Sequence, residues 1–117
     1  MPNRSLSRSN ALDSVFQALA DPTRRAVVER LLRGPASTSE LARPFGMALP
    51  SFAEHLDRLE RCGIVKSKKE GRVRTYRIEH RPLNEATHWL ETQRSLWTKR
   101  LDQLDAVVLA MKRKEDR

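Results

Sequence analysis

The sequence predicts a mainly α-helical domain that carries one small β-hairpin and ends in a long helix. Three patterns lead to this fold class. Apolar residues recur at helical spacing in the first half of the chain, a Glu70-Gly71 turn separates two segments rich in Val, Ile, Thr and Tyr, and a heptad-like pattern follows residue 82. With 117 residues the chain is long enough for one domain, expected at residues 10–112 between a flexible arm (1–9) and a charged tail (113–117).

Positive charge is concentrated in one part of the chain. The protein has 23 Lys and Arg residues against 15 Asp and Glu, a net charge of +8, and residues 63–82 alone contribute a surplus of five positive charges. A solubilising surface would explain the composition, but such a concentration favours a polyanionic partner such as nucleic acid. The single cysteine, Cys62, excludes an internal disulfide, and no apolar run approaches the ~18 residues of a membrane span. We therefore expect a cytoplasmic protein.

Apolar spacing and capping residues predict the first two helices. The first helix, at about residues 10–20, places on one face Leu12, Val15, Phe16 and Leu19. Asp21-Pro22 then supplies a favourable N-cap and a proline at the first helical position, and Gly34-Pro35 ends the second helix near residue 33. The arginines of this second helix either contact a DNA backbone or are solvated; they are Arg24, Arg25 and Arg30.

Two shorter helices follow, joined by a turn. Ser37 and Glu40 form a capping box that opens the third helix, which Pro44 must end within about two turns because proline lacks an N–H. Pro50 is tolerated only in the first turn of a helix, so the fourth helix begins near residue 48 or 49 and ends before Gly63. Its buried stripe is expected to consist of Phe52, Leu56 and Leu59.

A hairpin and a long helix complete the domain. Residues 64–69 and 72–78 are the predicted strands, with Tyr76 and Ile78 pointing to the core. The final helix, residues 83–112, would be about 45 Å long at ~1.5 Å per residue, longer than so small a domain can cover. Its heptad-like face either packs on its own domain or, as we expect, faces a second copy of the chain. The predicted dimer interface comprises Leu12, Val15, Phe16, Trp89, Trp97, Leu101, Leu104 and Val108.

The fourth helix and the hairpin have the dimensions and charge of a DNA-binding pair. A helix of ~10–12 Å diameter fits the ~12 Å major groove, where its N-terminal half meets base edges. The predicted base-reading residues are Ser51, Glu54, His55 and Arg58. Residues 48–62 carry a net charge of −1, so affinity is expected mainly from the hairpin, with a smaller contribution from the N-terminus of the third helix. The predicted phosphate contacts are Lys68, Lys69, Arg72, Arg74, Thr38 and Ser39.

Three of these assignments have alternatives. Glu54 either accepts a hydrogen bond from cytosine N4 or only pairs with Arg58, four residues later. The hairpin lysines either contact phosphates or only protect an exposed strand edge against aggregation. Trp89 and Trp97 either line a pocket for a small-molecule effector or form part of a dimer core.

Four phrases, in order along the chain, resemble the arsenic-repressor (ArsR-type) family of winged helix-turn-helix transcriptional regulators. They are Ala18-Leu19-Ala20-Asp21-Pro22-Thr23-Arg24-Arg25, Glu40-Leu41-Ala42, Leu49-Pro50-Ser51-x-x-x-His55-Leu56 and Gly71-Arg72-Val73-Arg74-Thr75-Tyr76-Arg77-Ile78. The resemblance covers about residues 10–112. It implies a homodimer built on the first and last helices, an operator with two-fold symmetry, and a repressor that often controls its own operon.

The chain departs from the family pattern in the fourth helix and at the positions of the family's metal sites. Ala53 and Glu54 stand where a small polar and a basic residue are common, which puts the base preference in doubt. Glu-Leu-Ala-Arg at residues 40–43 replaces the family's Cys-x-Cys motif, and the last helix offers only His88 with Glu85 and Glu91. We therefore expect no metal and no cofactor.

The sequence patterns predict a DNA-binding dimer, and the family resemblance implies that it is a homodimeric regulator that binds double-stranded DNA at a pseudo-palindromic operator as an (auto)repressor. Helix 49–62 would enter the major groove and the basic wing, residues 64–78, would contact the backbone. The alternative is a winged-helix protein-interaction module with little DNA affinity, favoured by the acidic Glu54, Asp57 and Glu60. An enzyme is not expected, because the sequence offers no Gly-rich phosphate loop and no Ser-His-acid set.

Overall fold

The computed structural model describes residues 10–116, together with the helical backbone of residues 4–9. In chain order the elements are α1 (Arg4–Leu19), α2 (Pro22–Leu31), β1 (Ala36–Ser37), α3 (Thr38–Ala42), α4 (Leu49–Arg61), β2 (Val65–Glu70), β3 (Val73–Ile78) and α5 (His80–Glu115). They form two compact units, Met1–Ala86 and Thr87–Arg117, with α5 beginning in the first and continuing through the second. Because α1 begins at Arg4, the backbone of residues 4–9 in the expected flexible arm is helical, and residues 1–3 of that arm lie outside the described residues.

The helix starts follow the capping residues that the sequence offers. Asp21 caps α2 by accepting a 2.9 Å hydrogen bond from the Arg24 backbone N–H. At α3 both bonds of the predicted capping box form, since the Ser37 side chain accepts from the Glu40 N–H and the Glu40 carboxylate accepts from the Ser37 N–H. Ala48 gives α4 no side-chain cap, so Pro50 in the first turn is the main local signal for where this helix begins.

The sheet contains the predicted hairpin and one strand that was not predicted. Its order is β1-β3-β2, with both neighbours antiparallel. The added strand, β1, pairs Ala36 with Tyr76 and Ser37 with Thr75. Two residues are too few to show the alternation that marks a strand, and their pairing partner lies far along the chain, so the sequence carried no local signal for β1.

The hairpin turn lies one residue later than predicted. Glu70 pairs with Val73, which leaves Gly71 and Arg72 as the two loop residues instead of Glu70 and Gly71. Gly71 has a φ of +62°, and no described non-glycine residue has a positive φ, which is the pattern of a II′ turn with glycine at the first central position. The shift places Arg72 at the tip of the hairpin.

One apolar core holds the first unit together. Its members are Val15, Ala18, Val27, Val28, Leu31, Ala36, Leu41, Phe52, Leu56, Leu59, Ile64, Val65, Tyr76 and Ala86. The predicted stripe on α4 and the inward Tyr76 are confirmed, and Ile78 packs against the core. Val15, predicted as a dimer contact, is instead 3% exposed inside this core, and Leu12 and Phe16 are partly buried against it. These three side chains therefore offer a second copy less surface than expected.

Among the described residues Phe52 is the largest fully buried side chain, and its replacement by alanine should have the clearest effect on stability. Its ring is 0% exposed and lies 5.5 Å from the Phe45 ring, centroid to centroid. Phe52→Ala should lower the free energy of unfolding by about 3–5 kcal/mol, because the lost burial leaves a cavity. Urea denaturation followed by circular dichroism measures this. Leu49→Ala, on the same helix but exposed, is the control and should change stability by less than about 0.5 kcal/mol.

Beyond Ala86, α5 is exposed along its length in the described chain. Its large exposed apolar residues are Trp89, Leu90, Leu96, Trp97, Leu101, Leu104, Val107, Val108, Leu109 and Met111. The helix continues to Glu115, three residues past its predicted end and into the expected charged tail. No helix among the described residues combines the length and apolar character that crossing a bilayer requires.

Candidate nucleic-acid interface

The helices α3 and α4 form a helix-turn-helix in which the second helix exposes a polar face. Phe52, Leu56 and Leu59 point into the core and are at most 1% exposed. On the outside, Ser51, Glu54 and Arg58 are exposed, as predicted for residues that meet a duplex. The fourth predicted base-reading residue, His55, is different, since 19% of its side chain is exposed and its ring contacts α2.

An ion-pair row occupies the outermost part of α4. Arg61 Nη2 lies 2.5 Å from Asp57 Oδ2 and 3.7 Å from Glu54 Oε1, with all three side chains more than half exposed. Glu54 therefore forms an ion pair, as the alternative predicts, but its partner is Arg61 and not Arg58. Such exposed pairs contribute about 0–1 kcal/mol and open readily when another partner approaches. The row is acidic by one charge, so it does not by itself attract a polyanion.

Arg58 lies on the side of α4 that faces α1. It lines a cleft of about 250 Å³ together with Ser14, Gln17, Ala18, Arg61 and Cys62. Arg58 has no ion pair with any described residue, so its guanidinium is available to a phosphate or a base. Cys62 is partly buried and its thiol donates to the Leu59 carbonyl at 3.3 Å, as a small packing residue does.

Arg24 joins three helices from a buried position that sequence reasoning missed. It is 8% exposed, and its guanidinium donates to the carbonyls of Ala18 at 2.6 Å and Gln17 at 3.2 Å. These carbonyls belong to the last turn of α1, whose C=O groups lack partners within the helix. Its Nη1 lies 3.1 Å from His55 Nδ1. A signal was present in the sequence, because Arg24 shares helical spacing with the buried Val27, Val28 and Leu31.

The other two arginines of α2 are also engaged within the protein. Arg25 Nη1 donates to the Leu19 carbonyl at 2.8 Å, and Arg30 Nη1 donates to the Gly34 carbonyl at 3.1 Å. Arg30 also lies 3.7 Å from the Glu40 carboxylate. The arginines of α2 therefore fasten the ends of neighbouring elements, and neither solvation nor DNA contact is needed to explain them.

The hairpin β2–β3, called the wing below, holds two kinds of basic residue. Arg74 is tied to α4: its Nη1 donates to Ser67 Oγ at 2.8 Å, and Ser67 donates to the carboxylate of Glu60, on α4, at 2.6 Å. Lys68 lies 3.2 Å from the Glu70 carboxylate. By contrast, Lys69 and Arg72 are exposed and have no ion pair with a described residue.

Two wing cations face each other across the strands. Lys69 pairs with Arg74 in the register of β2 and β3, on the face that also carries Ser67 and the buried Tyr76. Like charges directly opposite one another destabilise an antiparallel pair. Ser67 offsets part of this repulsion for Arg74, whereas Lys69 has no such partner among the described residues. An anion bound between them would relieve the repulsion.

The N-terminus of α3 sits beside the wing. Thr38 Oγ1 is 3.5 Å from the Arg74 carbonyl, a long hydrogen bond that links α3 to β3. Thr38 is half-buried while Ser39 is exposed, so only Ser39 presents its hydroxyl fully to the outside. Of the six predicted phosphate contacts, the geometry leaves Lys69, Arg72 and Ser39 as the ones free of internal partners in the described chain.

The carboxyl groups of Asp21 and Glu40, near this surface, have lowered pKa values. The hydrogen bond from the Arg24 N–H is the main cause that lowers the pKa of Asp21, and the Ser37 N–H lowers the pKa of Glu40 in the same way. Both charged caps therefore stabilise the fold above the unfolded-state carboxyl pKa of about 4. Their contribution is lost as the pH falls through the lowered folded-state values. No group of three or more metal-ligating side chains occurs among the described residues.

The chain is similar to a helix-turn-helix family model and to known transcriptional regulators. A family model described as a helix-turn-helix domain matches residues 19–68, a span that contains α2, α3 and α4. The chain is 39% identical over 74 residues to the HTH-type transcriptional regulator Rv2034 of Mycobacterium tuberculosis, covering 63% of this chain and 69% of that protein. It is 27% identical over 79 residues to the transcriptional repressor SdpR of Bacillus subtilis, covering 68% and 88%.

Solved structures give the same result. A crystal structure of an ArsR family transcriptional regulator, RHA00566, is 54% identical with a TM-score of 0.74, covering 77% of this chain and 93% of that one. A solution structure of a homodimeric winged helix-turn-helix DNA-binding domain from Mycobacterium bovis is 24% identical with a TM-score of 0.64, covering 82% and 91%. The second likeness, at its lower identity, concerns the fold alone.

Proposed function

Because the chain belongs to the ArsR family of winged helix-turn-helix transcriptional regulators, we propose that it acts as a homodimeric repressor that binds double-stranded DNA. The observation that carries this proposal is the pair of opposed wing cations, Lys69 and Arg74, with Arg72 at the tip beside them. The two positive side chains repel each other across the hairpin. A bound polyanion would neutralise both charges and remove this repulsion. The adjacent face of α4, with Ser51 and Glu54 exposed, is the surface that would read bases.

The proposed homodimer rests on the exposed apolar face of α5 in the second unit. Trp97, Leu101, Leu104 and Val108 follow the heptad-like spacing, and each is between 43% and 61% exposed. Proteins rarely leave a contiguous apolar face of this kind in contact with water. Such a face therefore marks an interaction surface. A second copy of the same helix offers a matching face with the same spacing, which is the packing that a two-fold dimer provides.

A two-fold dimer binds an operator with two half-sites. Each α4 would enter one major groove, with the two contacts about 34 Å apart or a multiple of that distance. Repression follows when this occupancy covers a promoter. A small-molecule effector, if the protein has one, would act by changing the angle between protomers, because that angle decides whether both helices fit at once.

Footprinting on the DNA upstream of the protein's own gene tests this function. The expected result is two protected stretches whose centres are about one helical turn, or a whole number of turns, apart, under conditions in which light scattering reports a dimer. A single protected stretch, or protection that does not depend on sequence, would contradict the proposed pseudo-palindromic operator. Adding candidate effectors to the same titration tests whether the occupancy is regulated.

A second candidate function has one observation in its favour. The outer row of α4 is acidic, since Glu54 and Asp57 share one arginine, and such a row suits a basic protein partner better than a phosphate backbone. A protein-interaction module would give a folded dimer that retards no duplex in a gel at low salt. A retarded species whose affinity falls with added salt favours the repressor instead.

A further inference from the structure

His55 stands between the interior and the DNA-facing side of α4, and its two ring nitrogens meet different surroundings. Nδ1 is directed inward, 3.1 Å from Arg24 Nη1 and 3.7 Å from Asp21 Oδ2. No described residue gives Nε2 a hydrogen bond, and no side-chain nitrogen among the described residues is both buried and unpaired. Nε2 therefore reaches solvent at the edge of the recognition helix. Ser51 precedes it by four residues on the same helix, so the two groups are neighbours on one face.

The Arg24 guanidinium is held in a fixed orientation. Its Nε donates to the Ala18 carbonyl at 2.6 Å and its Nη2 donates to the Gln17 carbonyl at 3.2 Å. Two bonds from one planar group to the end of α1 fix the plane of that group, which directs Nη1 at the imidazole. Because Arg24 is 8% exposed, water does not easily replace these partners.

This contact determines where the proton of the imidazole lies. A guanidinium has only donors, so the bond to His55 forms only if Nδ1 accepts. In a neutral imidazole that accepts at Nδ1, the proton is on Nε2. The competing arrangement, an imidazolium paired with Asp21, is less favourable here. It would point an N–H at the guanidinium 3.1 Å away, and the carboxylate oxygen at 3.7 Å already accepts from the Arg24 N–H.

We propose that Arg24 is a positioning residue for DNA binding: it fixes His55 as the neutral Nε2–H form and so presents a single N–H donor to an acceptor atom of the duplex. The inference rests on the proposed DNA-binding function. The acceptor is a phosphate oxygen or the N7 or O6 atom of guanine, all of which accept from an imidazole N–H. Without Arg24 the ring would exchange its proton between both nitrogens, and the exposed edge would present a donor only part of the time.

The tautomer can be measured without DNA. Long-range ¹H–¹⁵N spectra of the full chain separate a protonated from an unprotonated ring nitrogen, and the signal lost in His55→Gln assigns the ring. We expect the DNA-free protein to show a protonated Nε2 and an unprotonated Nδ1, and Arg24→Met to show exchange between both forms. A wild-type ring that is protonated at Nδ1 overturns the proposal, even if Arg24→Met does not fold.

A double-mutant cycle separates positioning from a purely structural role. The glutamine that His55→Gln introduces carries its amide N–H near the Nε2 position and needs no proton from a tautomer, so this variant serves as the reference background. Arg24→Met should lower operator affinity about two- to fivefold with His55 present, because each of the two rings would then present its donor only part of the time. In the His55→Gln background the same change should alter affinity by less than about 1.5-fold, because the amide donor does not depend on a tautomer. Equal losses in both backgrounds would mean that Arg24 acts through stability alone. Arg24→Lys, which keeps a donor, should recover part of the affinity.

Two duplexes identify the acceptor. Each variant is titrated against the footprinted operator and against a scrambled duplex of the same length and composition. Equal losses on both duplexes assign the donor to a phosphate, and a loss on the operator alone assigns it to a base edge. No loss on either duplex overturns the proposal. A wild-type chain that binds neither duplex would remove the proposed function itself, and the tautomer measurement would then stand apart from it.

Discussion

Replacing Leu101 and Leu104 with aspartate should convert the protein to a monomer whose operator affinity is lower by at least about a hundredfold. Both side chains lie on the apolar face of α5 and are 43% and 55% exposed in the single chain. Carboxylates at these positions would have to be buried between two copies, which costs several kcal/mol per charge. A monomer keeps one half-site contact and loses the gain from binding two linked sites. Light scattering and gel retardation measure both effects.

The matched control carries the same charges on the other side of the same helix. Ser95 and Ala106 are exposed and lie away from the heptad-like face. Ser95→Asp with Ala106→Asp should therefore leave the protein dimeric, with its affinity reduced only through its altered net charge. A Leu101→Asp, Leu104→Asp protein that is still a dimer at micromolar concentration would show that a different surface joins the protomers.

Removing the two unpaired wing cations should have the second large effect. Lys69→Ala with Arg72→Ala should lower operator affinity by about a hundredfold at moderate salt. It should also reduce the slope of log K against log salt by about 3–4, because two phosphate contacts are lost from each protomer. The reason is that neither side chain has an ion pair with a described residue, so both are available to phosphates. Fluorescence anisotropy across a salt series measures affinity and slope together.

A second pair of wing cations serves as the control. Lys66 and Arg77 lie at the other end of the strands, 4.0 and 3.3 Å from the Glu79 carboxylate. Their replacement by alanine removes the same formal charge and should change affinity by less than about fivefold. If both double variants lowered the slope equally, net charge rather than wing geometry would govern binding.

Local signals made much of this fold predictable. The capping box at Ser37 and the Asp21-Pro22 start act within four residues of their helix, so the sequence alone displays them. The strand β1 has no such signal, because its two residues are strand-like only through their pairing with Tyr76 and Thr75. The predicted turn lies one residue too early. Glu70-Gly71 and Gly71-Arg72 are both acceptable turn pairs, and only the pairing register of β2 with β3 decides between them.

The sequence predicts which residues of the candidate site are exposed, but it does not predict their hydrogen-bond partners. Exposure of Ser51, Glu54 and the wing followed from helical and strand periodicity. The contact of His55 with Arg24 joins residues 31 positions apart, and it depends on how α2 packs against α4. The diversion of Arg74 to Ser67 likewise depends on packing, since it requires Glu60 of α4 to lie beside the wing. Periodicity gives the face of a residue, whereas the choice between an internal and an external partner is decided by tertiary contacts.

The chain of bonds from Glu60 through Ser67 to Arg74 has a consequence for how such a regulator changes its target over evolutionary time. Tilting the wing away from α4 would break these hydrogen bonds, so in the proposed complex they hold the wing at a defined offset from the helix that would enter the groove. In the proposed complex with DNA, substitutions at Ser51 or Glu54 would then alter the preferred bases while the wing keeps its contacts with the flanking backbone. Single substitutions on one helix would give access to new operators.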